Sequence, residues 1–193
     1  MICLRINLNI ETLRLTLLLL SFFIVLNVFS QENENILRLS KGRIDFHSKA
    51  ELEVIRAHTE DFKGVLDIQK KEFAISVPMI SFLGFNSPLQ REHFNENYLE
   101  SKKFPSATYV GKIKGDFNLM EDGRSTLMTE GVLKIHGMEV KRELEVELVI
   151  TRGIIGVKSE FKVPLSDYNI KIPNAVKGKI AEVIEVEIYA LFE

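Results

Sequence analysis

The sequence predicts an all-β protein, a closed antiparallel barrel of about eight strands carrying one short amphipathic helix. Three observations predict it. Apolar and polar residues alternate with period two through most of the chain beyond residue 35. Glycine-containing turn dipeptides separate several of the alternating runs. One segment, residues 87–105, breaks the alternation and opens with a helix-start signature.

The first thirty residues read as a secretory signal, not as part of the fold. Arg5 and Arg14 give a basic start, Leu15 to Val28 is a run of mostly Leu, Ile, Val and Phe, and Val28 and Ser30 occupy the −3 and −1 positions. Cleavage is expected after Ser30. The rival reading is an uncleaved anchor, but a run of about fourteen residues falls short of the roughly 20 a membrane-spanning helix needs. Cys3 lies too early, and on the wrong side of the apolar run, for lipid modification. Residues 31–35 form a polar leader, and residues 36–193 one domain. Without cysteine, an exported domain of about 160 residues is held by its core alone.

The strands follow in order. Ile44/Phe46, Leu52/Val54, Phe62 through Ile68 and Phe73/Ile75/Val77 are the early candidates. Tyr109, Gly111 and Ile113 then alternate with Val110, Lys112 and Lys114, and Leu127 to Ile135 follows. The clearest run sets Leu144, Val146, Leu148 and Ile150 against Glu143, Glu145 and Glu147. Ile155, Val157, Phe161 and Val163 alternate with Lys158, Glu160 and Lys162, and Ile184 to Phe192 with Glu185 and Glu187. Asp122-Gly123 is a hairpin dipeptide, though its flanks imply a loop longer than two residues. His136-Gly137 and Arg152-Gly153 read as tight reversals. Strands with one dry face must bury those faces against each other, and about eight joined by tight turns favour a barrel over a sandwich.

The helix begins at Ser87-Pro88-Leu89-Gln90, an N-cap serine, a proline at the first helical position and a glutamine three residues after the cap. Phe94 and Tyr98, four apart, share one face, flanked by Leu89 and Leu99. Pro105 ends the segment. Such a helix makes a lid over whatever the strands enclose. A second helical turn is compatible with Pro164 to Tyr168.

Composition leaves the interior open. Ala57, Gly64, Gly111, Gly131 and Ser159 alternate with large residues on the presumed inner face, which leaves room for one ligand. Equally, glycines mark bends and close strand contacts in a filled barrel. Many function classes are excluded. A net charge of −2, without a cationic stripe, gives no nucleic-acid surface. There is no Gly-x-Ser-x-Gly, no phosphate-cradling loop and no cysteine nucleophile beyond residue 30. His47, His58, His93 and His136 share no metal-ligand spacing, so no metal and no cofactor is expected. The charged outer faces would have to meet lipid in a transmembrane barrel, at about 2–4 kcal/mol for each mid-bilayer lysine. A wet outside and dry inside mean a soluble barrel.

Several blocks resemble the YceI-like family. They are His93-Phe94-Asn95-Glu96-Asn97-Tyr98-Leu99-Glu100-Ser101 with Lys103-Phe104-Pro105, Ala107, Gly111 and Ile113; Gly42-x-Ile44-x-Phe46; Gly131-x-Leu133-x-Ile135-x-Gly137; and Asp167-Tyr168 with Ile170 and Pro173. The resemblance implies an extended lipocalin-like barrel, exported to the periplasm, with an elongated apolar cavity that holds polyisoprenoid-type or other long amphiphiles. It implies no enzymatic activity; some members are dimeric, and a homodimer and transient membrane contact belong to the expectation. The strand around Leu52 to His58 departs from the pattern of better-described members, so ligand identity carries over less well than the barrel.

The function expected is therefore an exported protein holding a polyisoprenoid, quinone or similar long amphiphile. Phe62, Phe73, Ile75, Phe82, Phe94, Tyr98, Leu99, Phe104, Tyr109, Ile113, Leu133 and Ile135 are the expected cavity wall. His93 and Asn97 are candidates for polar contacts at its mouth, and no residue is assigned a catalytic role. The alternative is an exported structural or interaction module whose interior is filled by its own side chains.

Overall fold

The alternating runs build one antiparallel sheet that closes on itself. The computed structural model describes residues 35–193, so the signal expected at residues 1–30 and all of the leader expected at 31–35 except Asn35 lie outside the described residues. The strands are β1 (Ile36–Lys49), β2 (Val54–Thr59), β3 (Lys63–Asp67), β4 (Glu72–Pro78), β5 (Ser106–Lys114), β6 (Gly123–Ile135), β7 (Met138–Thr151), β8 (Ile154–Pro164) and β9 (Val183–Phe192). From β3 to β9 each strand pairs with the next, and β9 returns to β1 to close the barrel.

Nine segments make an eight-stranded barrel because β2 and β3 act as one interrupted strand. Both pair with β1 in a single continuous register, Ile44 opposite Thr59 and Ile36 opposite Asp67. Phe62, in the break between them, is buried. β4 pairs with β3 but not with β2. The chain leaving β4 returns along the free edge of β2, where His58 and Leu83 exchange both backbone bonds at 2.8 Å.

The turns divide into two kinds. His136 (φ 51°) with Gly137 (φ 76°), and Arg152 (φ 51°) with Gly153 (φ 78°), are two-residue reversals with both residues left-handed, the geometry whose twist suits a hairpin. Asp122-Gly123 is not a turn. Gly123 already belongs to β6, and Asp122 accepts the Arg152 N–H at 2.7 Å, so it braces the neighbouring hairpin.

One further expectation is corrected, and one open alternative is decided. Leu52 and Val54 face outward, 69% and 45% exposed, because pairing with β1 turns Ala57 and Thr59 into the core. The inner glycines do not create a cavity. A Cβ on Gly42 would stand 2.3 Å from the Phe62 ring, and one on Gly64 would stand 3.0 Å from the Phe192 ring. Gly111 and Gly131 face each other across β5 and β6, where a Cβ on Gly111 would meet Glu130 O at 2.3 Å. At these sites glycine admits a ring or a neighbouring backbone.

The lower half of the barrel, at the Arg152-Gly153 end, is thus solid. Phe62, Leu66, Phe73, Ile113, Leu148, Ile150, Ile155 and Phe192 are all buried in one core. The upper half is not filled in this way.

Candidate functional site

The lid starts as its sequence dictates. Ser87 caps α1 (Pro88–His93) by accepting the Gln90 N–H at 3.2 Å. The Gln90 side chain reaches back to the Asn86 N–H at 3.1 Å, one residue earlier than in a standard capping box. From Phe94 to Tyr98 the helix widens to π geometry, with Leu99 N–H donating to Phe94 O at 2.9 Å. That five-residue turn places Tyr98 and Leu99 together beneath Phe94. Leu89 points away and is 56% exposed. Asn95 closes the helix end, its amide donating to Arg91 O at 2.9 Å and its carbonyl accepting the Ser101 hydroxyl at 2.7 Å.

Under the lid lies a cavity of about 270 Å³, slightly below the range of about 300–1,000 Å³ typical of small-molecule pockets. Its walls come from β1, β2, β4, β5, β6, β8 and β9, from the β1–β2 turn, from the chain between β4 and the lid, from the lid, and from the segment between β8 and β9. Ile44 to Ser48 on β1 and Ile184 to Ile188 on β9 line it, a depth of about 14 Å of strand. With C–C bonds of about 1.5 Å, an extended chain of about ten to twelve carbons spans that depth.

Four phenylalanines hold the lid to the barrel. Phe46 stacks on Phe94 with centroids 5.5 Å apart, and Phe82 and Phe85 pack on the same ring at 5.7 and 5.1 Å. All four line the cavity. Tyr109 belongs to its floor, tilted against Phe73 at 5.0 Å. Its hydroxyl lies 3.0 Å from Thr129 Oγ1 and 3.3 Å from Arg142 O, while Thr129 donates to Leu144 O at 3.0 Å. Burial pushes the Tyr98 and Tyr109 phenols up, which keeps both neutral against an apolar space.

The polar part of the lining gathers at one place. Glu53 accepts from Gln90 Nε2 at 2.6 Å and from Asn86 Nδ2 at 3.3 Å, while Leu52 N–H donates to Gly178 O at 2.9 Å. These bonds bring the β1–β2 turn, the lid and the segment between β8 and β9 together. Glu53, Gln90, His93 and Lys179 all line the cavity, and Glu53 and Gln90 meet at this junction.

The structure distributes the sequence-selected residues unevenly. Ile75, Phe82, Phe94, Tyr98, Leu99, Tyr109, Leu133 and Ile135 line the void, and so does His93. Phe73 and Ile113 lie in the solid half because the strands carrying them continue below the floor, and Phe62 lies there in the break between β2 and β3. Phe104 packs edge-on against His136 at 4.7 Å. Asn97 is exposed on the lid's outer side. Sequence reasoning missed Phe46, Phe85, Ile170, Ile180 and Ile184, which also line the cavity. Phe46 and Ile170 stood in motif blocks; Phe85 and Ile180 lie in irregular segments without periodicity. Among the described residues, no group of three or more His, Cys, Asp or Glu is placed to hold a metal ion.

The sequence matches the YceI-like domain family over residues 37–192. The chain belongs to the YceI-like family. Its fold is shared with solved structures at low sequence identity. A polyisoprenoid binding domain from Saccharophagus degradans, implicated in plant cell wall breakdown, superposes with a TM-score of 0.70 at 12% identity, over 82% of this chain and 98% of that one. BcnA from Burkholderia cenocepacia gives 0.65 at 14%, over 78% and 95%. The Campylobacter jejuni YceI protein gives 0.57 at 18%, over 71% and 84%. No curated protein sequence matches.

Three of the four YceI-like sequence blocks, far apart in the chain, meet at His136. Its Nε2 faces Glu100 at the end of the lid, and its Nδ1 faces the backbone carbonyl of Tyr168 at 3.0 Å. Tyr168 is fully buried in the 3₁₀ turn Leu165–Tyr168 that opens the segment between β8 and β9. One imidazole therefore joins the β6–β7 hairpin to both covers of the cavity.

Proposed function

We propose that this protein is an exported, non-enzymatic lipid-binding barrel that takes the apolar chain of an isoprenoid, quinone or similar amphiphile into its upper cavity. The observation that carries the reading is the hollow upper half, apolar in its walls and closed by a lid of aromatic rings, in a chain of the YceI-like family. The Saccharophagus degradans neighbour, itself a polyisoprenoid binding domain, supports it. Export rests on reading residues 1–30 as a secretory signal. Eight of the selected wall residues, with Phe46 and Phe85, would supply the chain-binding surface.

Energetics favour exchange over trapping. Withdrawing a chain from water yields about 0.8 kcal/mol per methylene, but moving it from a bilayer into an apolar cavity is nearly neutral. Such a barrel equilibrates its ligand with membranes, and the helix bearing Phe94, Tyr98 and Leu99 is the gate.

Mass spectrometry of an organic extract of the purified protein tests the reading, together with transfer of labelled isoprenoid or quinone from phosphatidylcholine vesicles. A recurrent extracted lipid and saturable transfer are expected. A clean extract without transfer leaves the other reading, an exported module for which the solid lower half of the barrel is the relevant feature.

A further inference from the structure

The barrel wall is parted along one seam. β7 pairs with β6 from Ile150 to Met138, and β8 pairs with β9 from Ile155 to Pro164. Between themselves, β7 and β8 pair only from Thr151 opposite Ile154 to Glu147 opposite Lys158. Beyond that point the two strands run on without pairing, beside the hollow half. Phe161 and Val163, on the unpaired length of β8, line the cavity, as do Leu165 and Ile170 just after it.

Side chains bridge the strands where the ladder stops. The Ser159 hydroxyl donates to Glu145 O at 2.6 Å, and Arg142 Nη2 donates to Lys162 O at 2.6 Å. Alternation puts Arg142 on the dry face with Leu144 and Val146, and the parting gives its guanidinium a carbonyl to meet. The 3₁₀ turn Leu165–Tyr168 packs on both strands. Tyr168 is fully buried there, and its hydroxyl has no hydrogen-bond partner among the described residues. Lifting the turn breaks no bond of that hydroxyl and lets water satisfy it, which lowers the cost of opening. The same turn is tied to the lid through His136 and Glu100.

We propose that the gate of the cavity extends down the wall between β7 and β8, clasped by Arg142 and Ser159 and capped by Leu165–Tyr168, so that an apolar chain enters and leaves sideways. Its purpose rests on the lipid-binding reading; the parted seam does not. The paired stretch below Glu147 and Lys158 is the hinge, held by Leu148, Ile150 and Ile155 in the solid core. A chain that leaves by the lid alone has to slide out lengthwise, whereas parting the seam frees it along its side.

The test uses the full chain with Cys3→Ser. Glu143→Cys and Lys162→Cys occupy exposed positions on either side of the parting, and a short bis-maleimide bridges them. Bridging is expected to slow both uptake and release of dansylated undecanoic acid and to leave its affinity unchanged. Equal rates before and after bridging overturn the proposal. Removing the clasp with Arg142→Met and Ser159→Ala is expected to speed release about tenfold, the loss of two hydrogen bonds that hold the seam shut. Val163→Cys, on the cavity wall, reports opening without any ligand. Its labelling by a water-soluble thiol reagent is expected to quicken when the clasp is removed. Unchanged labelling overturns the proposal even where the probe binds. Quickened labelling in a protein that takes up no probe supports the opening seam and sinks the lipid-binding reading instead.

Discussion

His136 Nε2 lies 2.8 Å from the Glu100 carboxylate. The ring's other nitrogen meets the Tyr168 carbonyl, which can only accept, so the ring donates there. Both of its partners carry acceptor oxygens, and the ring is 12% exposed while Glu100 is 43% exposed. The contact fixes the relative positions of the lid and the segment between β8 and β9.

Replacing His136 by Phe preserves packing on Phe104 and removes both hydrogen bonds. A loss of about 2 kcal/mol is expected from urea unfolding, with faster release of a bound fluorescent fatty acid. Glu100→Gln is expected to cost less, since its partner keeps the Tyr168 carbonyl. Equal stability of His136→Phe and the parent protein would show that the latch carries no energy.

Gly111 and Gly156 make a matched pair. A Cβ at Gly111 would meet backbone at 2.3 Å, whereas the nearest atom to one at Gly156 is a Leu191 methyl carbon at 3.5 Å. Gly111→Ala is expected to destabilise by about 1–3 kcal/mol and Gly156→Ala to be nearly neutral, measured as shifts in thermal midpoint.

Filling the hollow half should separate binding from folding. Val186→Trp places an indole in the cavity. Loss of fluorescent-lipid binding by at least tenfold is expected, with little change in thermal midpoint. A variant that folds normally and binds normally would place the ligand elsewhere.

Asp67 gives the clearest pH signature. Its Oδ1 accepts the Lys70 and Gln69 N–H groups at 2.9 and 3.1 Å. The Lys70 bond foremost holds the carboxyl below the usual carboxylate range. A carboxyl lowered on folding adds stability that is fully present above its unfolded pKa and vanishes as pH falls through the folded one. Asp67→Asn is expected to be less stable than the parent at pH 7, with the gap closing below the usual carboxylate range. Urea midpoints at both pH values check it, and a gap independent of pH would assign the effect to something other than the charge.

Much of this molecule was legible in the chain. Leu144, Val146, Leu148 and Ile150 are buried as their alternation with glutamates requires, because side chains of a strand point to opposite faces. Ser87, Pro88 and Gln90 specify the start of the lid locally, and His136-Gly137 specifies its turn. The motif blocks identified the family.

What alternation does not record is whether inward side chains meet across the barrel. Phe62 closes the lower half because its ring lies over Gly42, and Phe192 does the same over Gly64; the second contact joins β3 to β9, strands distant in sequence. The upper half stays hollow because the lid and the segment between β8 and β9 hold their apolar groups at its edge, latched through His136. Local pattern determines which face of each strand is dry, whereas only the three-dimensional meeting of those faces decides where the space between them remains.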